Sequence, residues 1–399
     1  MPTFARRSVE EHADHIAGLL ARALETETET IPVDDAAGRV TASPVGSPVD
    51  LPLFRNSQMD GFAVRAAEVA DAPVILPIAG EIAARALDPG ALRPGTVVRI
   101  MTGGVVPEGA DAVVPVEDTS PGGEPDTVLI GRSRGVGEYV RDRGSDIRTG
   151  DVLIPAGVLL ASRHLAALAA AGITTVSVRR RVRVAVVTTG AELVAPGTDP
   201  VRGQVFDSNG TALAAAVSAA GADVVVRERV ADDHEAFRRA LATATAAADL
   251  VLTSGGISMG DYEVVRETLE PLGGEVGSVA MQPGGPQATA AVDGVPVVCF
   301  PGNPVSTQLS FEVFVAPLLR RAAGLPARRV SARALEGDLR SVPGKRQFLR
   351  AHDDGAVVRP VSGPGSHLVA GLAAADSLLI VPEDAVELHA GDVVEVWAL

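Results

Sequence analysis

The apolar positions between 182 and 300 gather into short unbroken runs, and three of these stop abruptly in a Gly- or Pro-marked polar loop before a helix-like segment. The runs occupy 183–189, 250–253 and 295–300, and their loops read TTGAEL, TSGGISMGDYE and PGNPVS. A run apolar on both faces is what a buried parallel strand requires, and helices cross over between such strands. In an open α/β sheet the ligand lies beyond the carboxyl ends of the strands, so the three loops predict one pocket for a ligand with oxygen-rich groups. A further strand at 223–228 and helices at 209–220, 235–248, 262–272 and 305–323 complete an α/β domain over 180–325. Segments 276–281 and 287–292 read as an added hairpin.

The flanks have other periods. Residues 8–24 follow a helical stripe, with Ser8 and Glu11 spaced as a capping box. Residues 25–30 read as an exposed connector, and 33–49 as a short helix followed by an extended stretch. Over 50–140, short Val- and Ile-rich runs alternate with Gly and Pro, which predicts a small β domain. A helix pair is expected over 150–178, with Ser162 as a candidate cap, folding back on the N-terminal helix. This gives a helical domain of 1–49 and 141–179 with the β domain inserted. After 326 the segments RVSARAL, QFLRAH, AVVRPV, SLLIVPE and VVEVWAL predict a β-rich domain of 326–399.

Composition narrows the picture. A chain of 399 residues exceeds what one core organises. With 46% apolar but 3% aromatic residues, its cores must be aliphatic. The net charge of −15 argues against nucleic-acid or anionic-membrane partners. An anionic ligand therefore needs helix N-termini, selected arginines or a metal ion. Every basic residue but Lys345 is an arginine. The single cysteine, Cys299, excludes an intramolecular disulfide and a Cys-rich zinc site, and its apolar strand marks an inert thiol. The longest apolar stretch, 152–178, is broken by Arg163 and His164, and no N-terminal signal is visible, so a cytoplasmic protein is expected.

TSGGISMGDYE carries the strongest local signal. Gly255 and Gly256 allow close backbone approach to a bulky ligand, and Ser254 and Ser258 offer hydroxyls. Asp261 precedes the next helix, where an N-cap is the plainer reading. In PGNPVS, Pro301 and Pro304 fix a loop in which Gly302 and Asn303 precede the positive end of a helix. A rigid strand-to-helix turn would look the same. Glu192 in TTGAEL, Asp207 in GQVFDSN and Asp261 form a candidate carboxylate cluster for Mg²⁺. Asp60 in NSQMDGFAV, Thr102 in RIMTGG and Asp146 in RDRGSDI lie outside this domain, where such aspartates are more often turn residues. No GxxxxGK[ST], GxSxG or HExxH occurs, which removes the common NTPase, esterase and zincin readings.

In order, PVDLPLFRNSQMDGFAVRAAEV, RIMTGGVVPEGADAVVPVED, VRDRGSDIRTGDVL, TTGAELVAPG with GQVFDSN, DLVLTSGGISMGDYE and PGNPVSTQLSFEVFVAPLLRRAAG resemble the molybdopterin molybdenumtransferase family, MoeA in bacteria and the gephyrin E domain in animals. The resemblance covers nearly the whole chain. It implies four domains, an elongated homodimer and a central domain with the fold of molybdopterin adenylyltransferases. It implies insertion of molybdate into adenylated molybdopterin with release of AMP, assisted by Mg²⁺, and an adenylyltransferase as partner. Catalytic roles then fall to Asp60, Asp146, Glu192, Asp232 and Asp261, with Glu192 and Asp261 as metal ligands. Binding roles fall to Thr102, Pro301 and Pro304, and Arg346 or Arg350 with Ser366 match anion-facing positions. Asp60, Thr102 and Asp146 are implied to face the pocket across the dimer. One departure stands out: Gln282 and Gly285 occupy positions where the family carries lysines. Two alternatives follow, a paralogue that binds the pterin but is slow in metal insertion, and a dimeric scaffold.

Overall fold

The computed structural model describes residues 3–25, 27–86, 88–257 and 263–399, and the chain forms two compact units, one of 1–29 with 179–399 and one of 30–178.

In the first unit the three apolar runs and Asp223–Val230 form the parallel part of a seven-stranded mixed sheet, ordered Val295–Phe300, Leu250–Ser254, Arg183–Thr189, Asp223–Val230, the last being the sheet's edge. The Arg183–Thr189 strand shows why such runs are unbroken. Val184 and Val186 enter the core that holds Leu213 and Val217 of the Asn209–Ala219 helix. Ala185 and Val187 enter the opposite core, with Phe237 and Leu241 of the His234–Ala247 helix. The two crossover helices thus cover opposite faces, and strand order reverses between Arg183–Thr189 and Leu250–Ser254. That reversal opens a crevice at the strands' carboxyl ends. The expected hairpin is present, Glu275–Val279 running antiparallel to Pro286–Val292. The expected 305–323 helix starts at Pro304 and contains one π turn at Phe311–Val315.

The N-terminal segment belongs to this unit. Thr3–Arg7 adds a parallel strand beside Glu275–Val279, and the Val9–Leu20 helix buries Val9, Ile16 and Leu20 in the α/β core. Its capping box forms as expected, Ser8 Oγ accepting from Glu11 N at 3.1 Å and Glu11 Oε2 from Ser8 N at 2.7 Å. The N-terminal helix is thus part of the α/β unit. An amphipathic stripe says that a face is buried, not against what.

The C-terminal strands close into a barrel. Arg346–Asp353 pairs with both Val357–Pro360 and Ser377–Val381, and Val330–Leu335 and Val393–Ala398 complete the ring. Closure leaves no strand edge exposed to aggregation. Met281–Gln282 lies parallel to the start of Arg346–Asp353, tying the barrel to the α/β layer within the same unit.

The second unit carries the expected β region, a sheet of Ala112–Pro115, Gly61–Val64, Val97–Ile100, Val74–Ile82, Thr127–Ile130 and Thr119–Pro121. Over 150–178 the described residues form one helix, Ser162–Ala170, where a pair was expected. Ser162 is its first turn, not its cap: Ala161 holds the cap position, and His164 Nδ1 accepts from Ala161 N at 3.0 Å. Among the described residues no helix is long and apolar enough to cross a membrane.

Candidate functional site

A cavity of about 1000 Å³ opens at the carboxyl ends of the central strands. Thr189, Ser254 and Pro301, at or just beyond the ends of three neighbouring strands, all line it. The sequence expectation of one pocket built from three loops is met.

The loops are locked by specific bonds. Gly255 adopts φ +98°, and a Cβ there would sit 2.4 Å from the Thr189 carbonyl oxygen. Gly256 adopts φ +67°, and a Cβ there would meet Val265 Cγ2 at 2.7 Å. Both positions therefore require glycine. Ser254 is buried, and its hydroxyl meets Thr307 Oγ1 at 3.0 Å. Thr307 in turn donates to the Pro301 carbonyl at 2.6 Å. Asn209 Nδ2 donates to Ser254 Oγ at 2.9 Å and to the Gly302 carbonyl at 2.7 Å, so the TSGG and PGNP loops share one network. Pro304 opens the following helix and Asn303 stands at its cap position without a side-chain cap bond.

The carboxylates divide into two kinds. Asp207 is buried and committed to the protein: Thr188 Oγ1 donates to its Oδ2 at 2.8 Å and Gly210 N to its Oδ1 at 2.9 Å. Glu192 and Asp232 are exposed on the cavity wall, Asp232 Oδ2 accepting from Ala191 N at 3.0 Å. Asp261 and Ser258 lie outside the described residues. Among the described residues no group of three His, Cys, Asp or Glu side chains comes together to hold a metal. Of the expected cluster, Glu192 lines the cavity together with Asp232 and Glu263, Asp207 lines it with both oxygens engaged by the protein, and Asp261 lies outside the described residues. Two exposed carboxylates fit a hydrated Mg²⁺, which takes one or two carboxylates and completes its shell with water and substrate phosphate oxygens.

The C-terminal barrel contributes a wall through Lys345 and the stretch 364–367. Ser366 lines the cavity as expected, and its carbonyl accepts from Val305 N at 3.0 Å. The arginine expectation needs correction. Arg346 pairs with Glu10 and does not line the cavity. Arg350 is fully buried, bonded to Ser362 Oγ at 3.0 Å and to the Gly363 carbonyl, and does not line it either. Lys345 is the one Lys or Arg among the described lining residues. Sequence reading passed over it although it is the chain's only lysine and stands beside the two arginines considered.

Asp60, Thr102 and Asp146 belong to the second unit. Thr102 N and Oγ1 both donate to Asp60 Oδ1, at 2.7 and 2.9 Å, and these bonds lower the carboxyl's pKa. All three residues are exposed, and Asp146 N donates to the Leu51 carbonyl at 2.9 Å. Cys299 is buried and its thiol is pushed up to about 12 by burial, as inert as expected.

Comparison with known proteins places this geometry. Residues 7–172 match the MoeA N-terminal region (domain I and II), 185–321 a probable molybdopterin binding domain, and 332–399 the MoeA C-terminal region (domain IV). The chain is 42% identical to molybdopterin molybdenumtransferase 2 of Mycobacterium tuberculosis, over 98% of this chain and 100% of the relative. Molybdopterin molybdenumtransferase of Haemophilus influenzae is 30% identical over 93% of this chain and 94% of the relative. A crystal structure of the molybdopterin biosynthesis MoeA protein from Pyrococcus horikoshii superposes with a TM-score of 0.80 at 31% identity, covering 99% of each chain.

Proposed function

The chain belongs to the molybdopterin molybdenumtransferase (MoeA) family, and from that premise we propose that it acts in molybdenum cofactor biosynthesis, inserting molybdate into adenylated molybdopterin with release of AMP. The observation that carries this reading is the convergence of Thr189–Glu192, Ser254–Gly256 and Pro301–Pro304 on one cavity whose walls hold exposed carboxylates and a single lysine.

The division of labour follows from the chemistry of each wall. The glycine backbone at Gly255, Gly256 and Gly302 admits a bulky ligand closely. Glu192 and Asp232, with Asp261 by resemblance, would hold Mg²⁺ against the phosphate of the adenylate. When bound, the ion draws negative charge from the phosphate oxygens and makes AMP a better leaving group. Lys345 gives the molybdate oxyanion a charge-assisted contact, with Ser366 as a neutral donor beside it. Asp60, Thr102 and Asp146 are read as further site residues by resemblance.

The same reading carries a cytoplasmic homodimer supplied by a molybdopterin adenylyltransferase, with four domains bounded near 50, 141, 180 and 326. Equilibrium sedimentation at micromolar concentration tests the dimer, and a monomer alone would remove it. The function is tested by molybdate-dependent AMP release from adenylated molybdopterin, and by restoration of molybdoenzyme activity in a strain lacking its own transferase. Tight pterin binding without AMP release would leave a non-catalytic binding protein in its place.

A further inference from the structure

The turn that leads into Lys345 lies between two cavities. Lys345 lines the main one, while Pro343 and Gly344, just before it, line a second cavity of about 450 Å³. Val342, Pro343 and Gly344 are exposed, and Lys345 and Arg346 are half-buried. A stretch with so little buried apolar surface is not held in place by packing. Its position has to come from polar ties.

Four such ties grip the residues on either side of Lys345. Two are backbone bonds: Gly344 N donates to the Glu383 carbonyl at 2.6 Å, and Arg346 N to the Ala280 carbonyl at 2.8 Å. The other two are side chains of the N-terminal segment, 338 and 336 residues away in sequence. The Arg6 guanidinium donates to the Gly344 carbonyl, and the Glu10 carboxylate pairs with the Arg346 guanidinium. Both are carried by anchored elements, Arg6 by the Thr3–Arg7 strand and Glu10 by the first turn of the Val9–Leu20 helix. Glu10 is 58% exposed, and an ion pair at such a site adds little to stability. What these contacts fix is the place of the residue between them.

We infer, resting on the function proposed above, that Arg6 and Glu10 are positioning residues for Lys345: by holding Gly344 and Arg346 they aim its ε-amine at the oxyanion and so set anion affinity from outside the cavity. Neither lines the main cavity, so their effect passes through Lys345. The sign of the effect separates this from long-range charge. Removing the Glu10 carboxylate would strengthen anion binding through charge alone, and removing the Arg6 guanidinium would weaken it. Loss of positioning weakens binding in both.

The test uses the full chain carrying Arg6→Met, Glu10→Gln or both, each made also with Lys345→Met. Steady-state AMP release gives KM for molybdate and kcat. Each single variant is expected to raise KM about threefold, and the pair to approach the roughly tenfold that Lys345 itself is worth. The melting temperature and kcat at saturating molybdate should stay at wild-type values. With Lys345→Met in place, neither substitution should change KM further, because the group they position is gone. Lys345 is the chain's only lysine, so its acetylation by N-acetoxysuccinimide, located by peptide mass mapping, reads the same geometry without turnover. Molybdate should protect the ε-amine in wild type and require a higher concentration to do so in the variants. The inference is overturned by an unchanged KM, by opposite shifts in Arg6→Met and Glu10→Gln, by losses that persist undiminished with Lys345→Met, or by a defect confined to kcat or to melting temperature. Protection that depends on Arg6 and Glu10 in a chain that releases no AMP removes the function and leaves the inference. AMP release from a wild type whose Lys345 molybdate does not protect does the reverse.

Discussion

Arg350 Nε donates to Ser362 Oγ at 3.0 Å, and a second guanidinium nitrogen donates to the Gly363 carbonyl. Arg350 lies on the barrel strand, fully buried, and burial lowers its pKa. The next residues, 364–367, form the cavity wall. The guanidinium thus braces that wall, with Nη1 left without a partner among the described residues. Arg350→Met should cost roughly 1.5–3 kcal/mol, the range for buried hydrogen bonds from a charged group. Thermal unfolding should show the loss, and KM for the pterin substrate should rise as the wall loosens. A variant with unchanged melting temperature and a defect only in molybdate affinity would return Arg350 to the anion site.

Lys345 should carry the molybdate contact. It is half-buried at the cavity and no ion pair engages it among the described residues. Lys345→Met should raise KM for molybdate about tenfold, since a hydrogen bond to a charged group is worth ~1.5–3 kcal/mol. The fold should tolerate the change, because the side chain is not in a core. Lys345→Arg should keep most of the affinity. Steady-state AMP release against molybdate concentration decides it: equal KM values for wild type and Lys345→Met would remove the role.

The stretch Lys345–Arg350 shows where sequence reading stopped. The apolar runs were legible as strands because burial on both faces keeps their middle positions apolar, and the loops after them line one cavity. The arginine choice was not legible. Alternation along Arg346–Asp353 puts Arg346, Phe348 and Arg350 on one face, and Phe348 joins the α/β core while Leu349 and Ala351 fill the barrel. Whether that face meets solvent, a ligand or a neighbouring loop depends on contacts distant in sequence, here Glu10 and Ser362. The placement of the Val9–Leu20 helix was lost for the same reason. The Asn209 network joins residues 209, 254 and 302, which no local pattern links.

Acid should weaken the fold through His12. The ring is fully buried, packed edge-on to Phe314 at 4.7 Å, and neither nitrogen has a partner among the described residues. Burial, then the charges of His15 and Arg7, push its pKa from 6.5 down to about 3. The unfolded chain binds a proton below pH 6.5 that the folded chain refuses. Stability from this site is thus complete above pH 6.5 and is lost as pH falls towards 3. At pH 5 the loss is on the order of 2 kcal/mol. Denaturant midpoints at pH 7.5 and pH 5 should differ clearly in wild type and much less in His12→Leu. An equal difference in both would place the titration elsewhere.

The two neutral positions on the cavity wall should respond differently to restored charge. Gln282 Oε1 accepts from Gln347 Nε2 at 2.6 Å, and Gln347, 2% exposed, accepts from Ser341 Oγ at 2.9 Å. Gln282→Lys removes the acceptor and leaves a buried amide donor unsatisfied, at a cost of about 1–3 kcal/mol. Gly285 has no such tie. Its φ is not in the left-handed region, and a Cβ would find its nearest neighbour at 3.5 Å, ordinary contact with the Val279 carbonyl oxygen. Gly285→Lys should therefore lower KM for molybdate several-fold with an unchanged melting temperature, while Gln282→Lys should gain affinity and lose stability together. Both constants come from the same preparations, molybdate titration and thermal unfolding. If Gly285→Lys leaves KM unchanged, Lys345 with Ser366 and the metal already satisfy the oxyanion. If Gln282→Lys unfolds at the wild-type temperature, the Ser341–Gln347–Gln282 relay does not hold the wall.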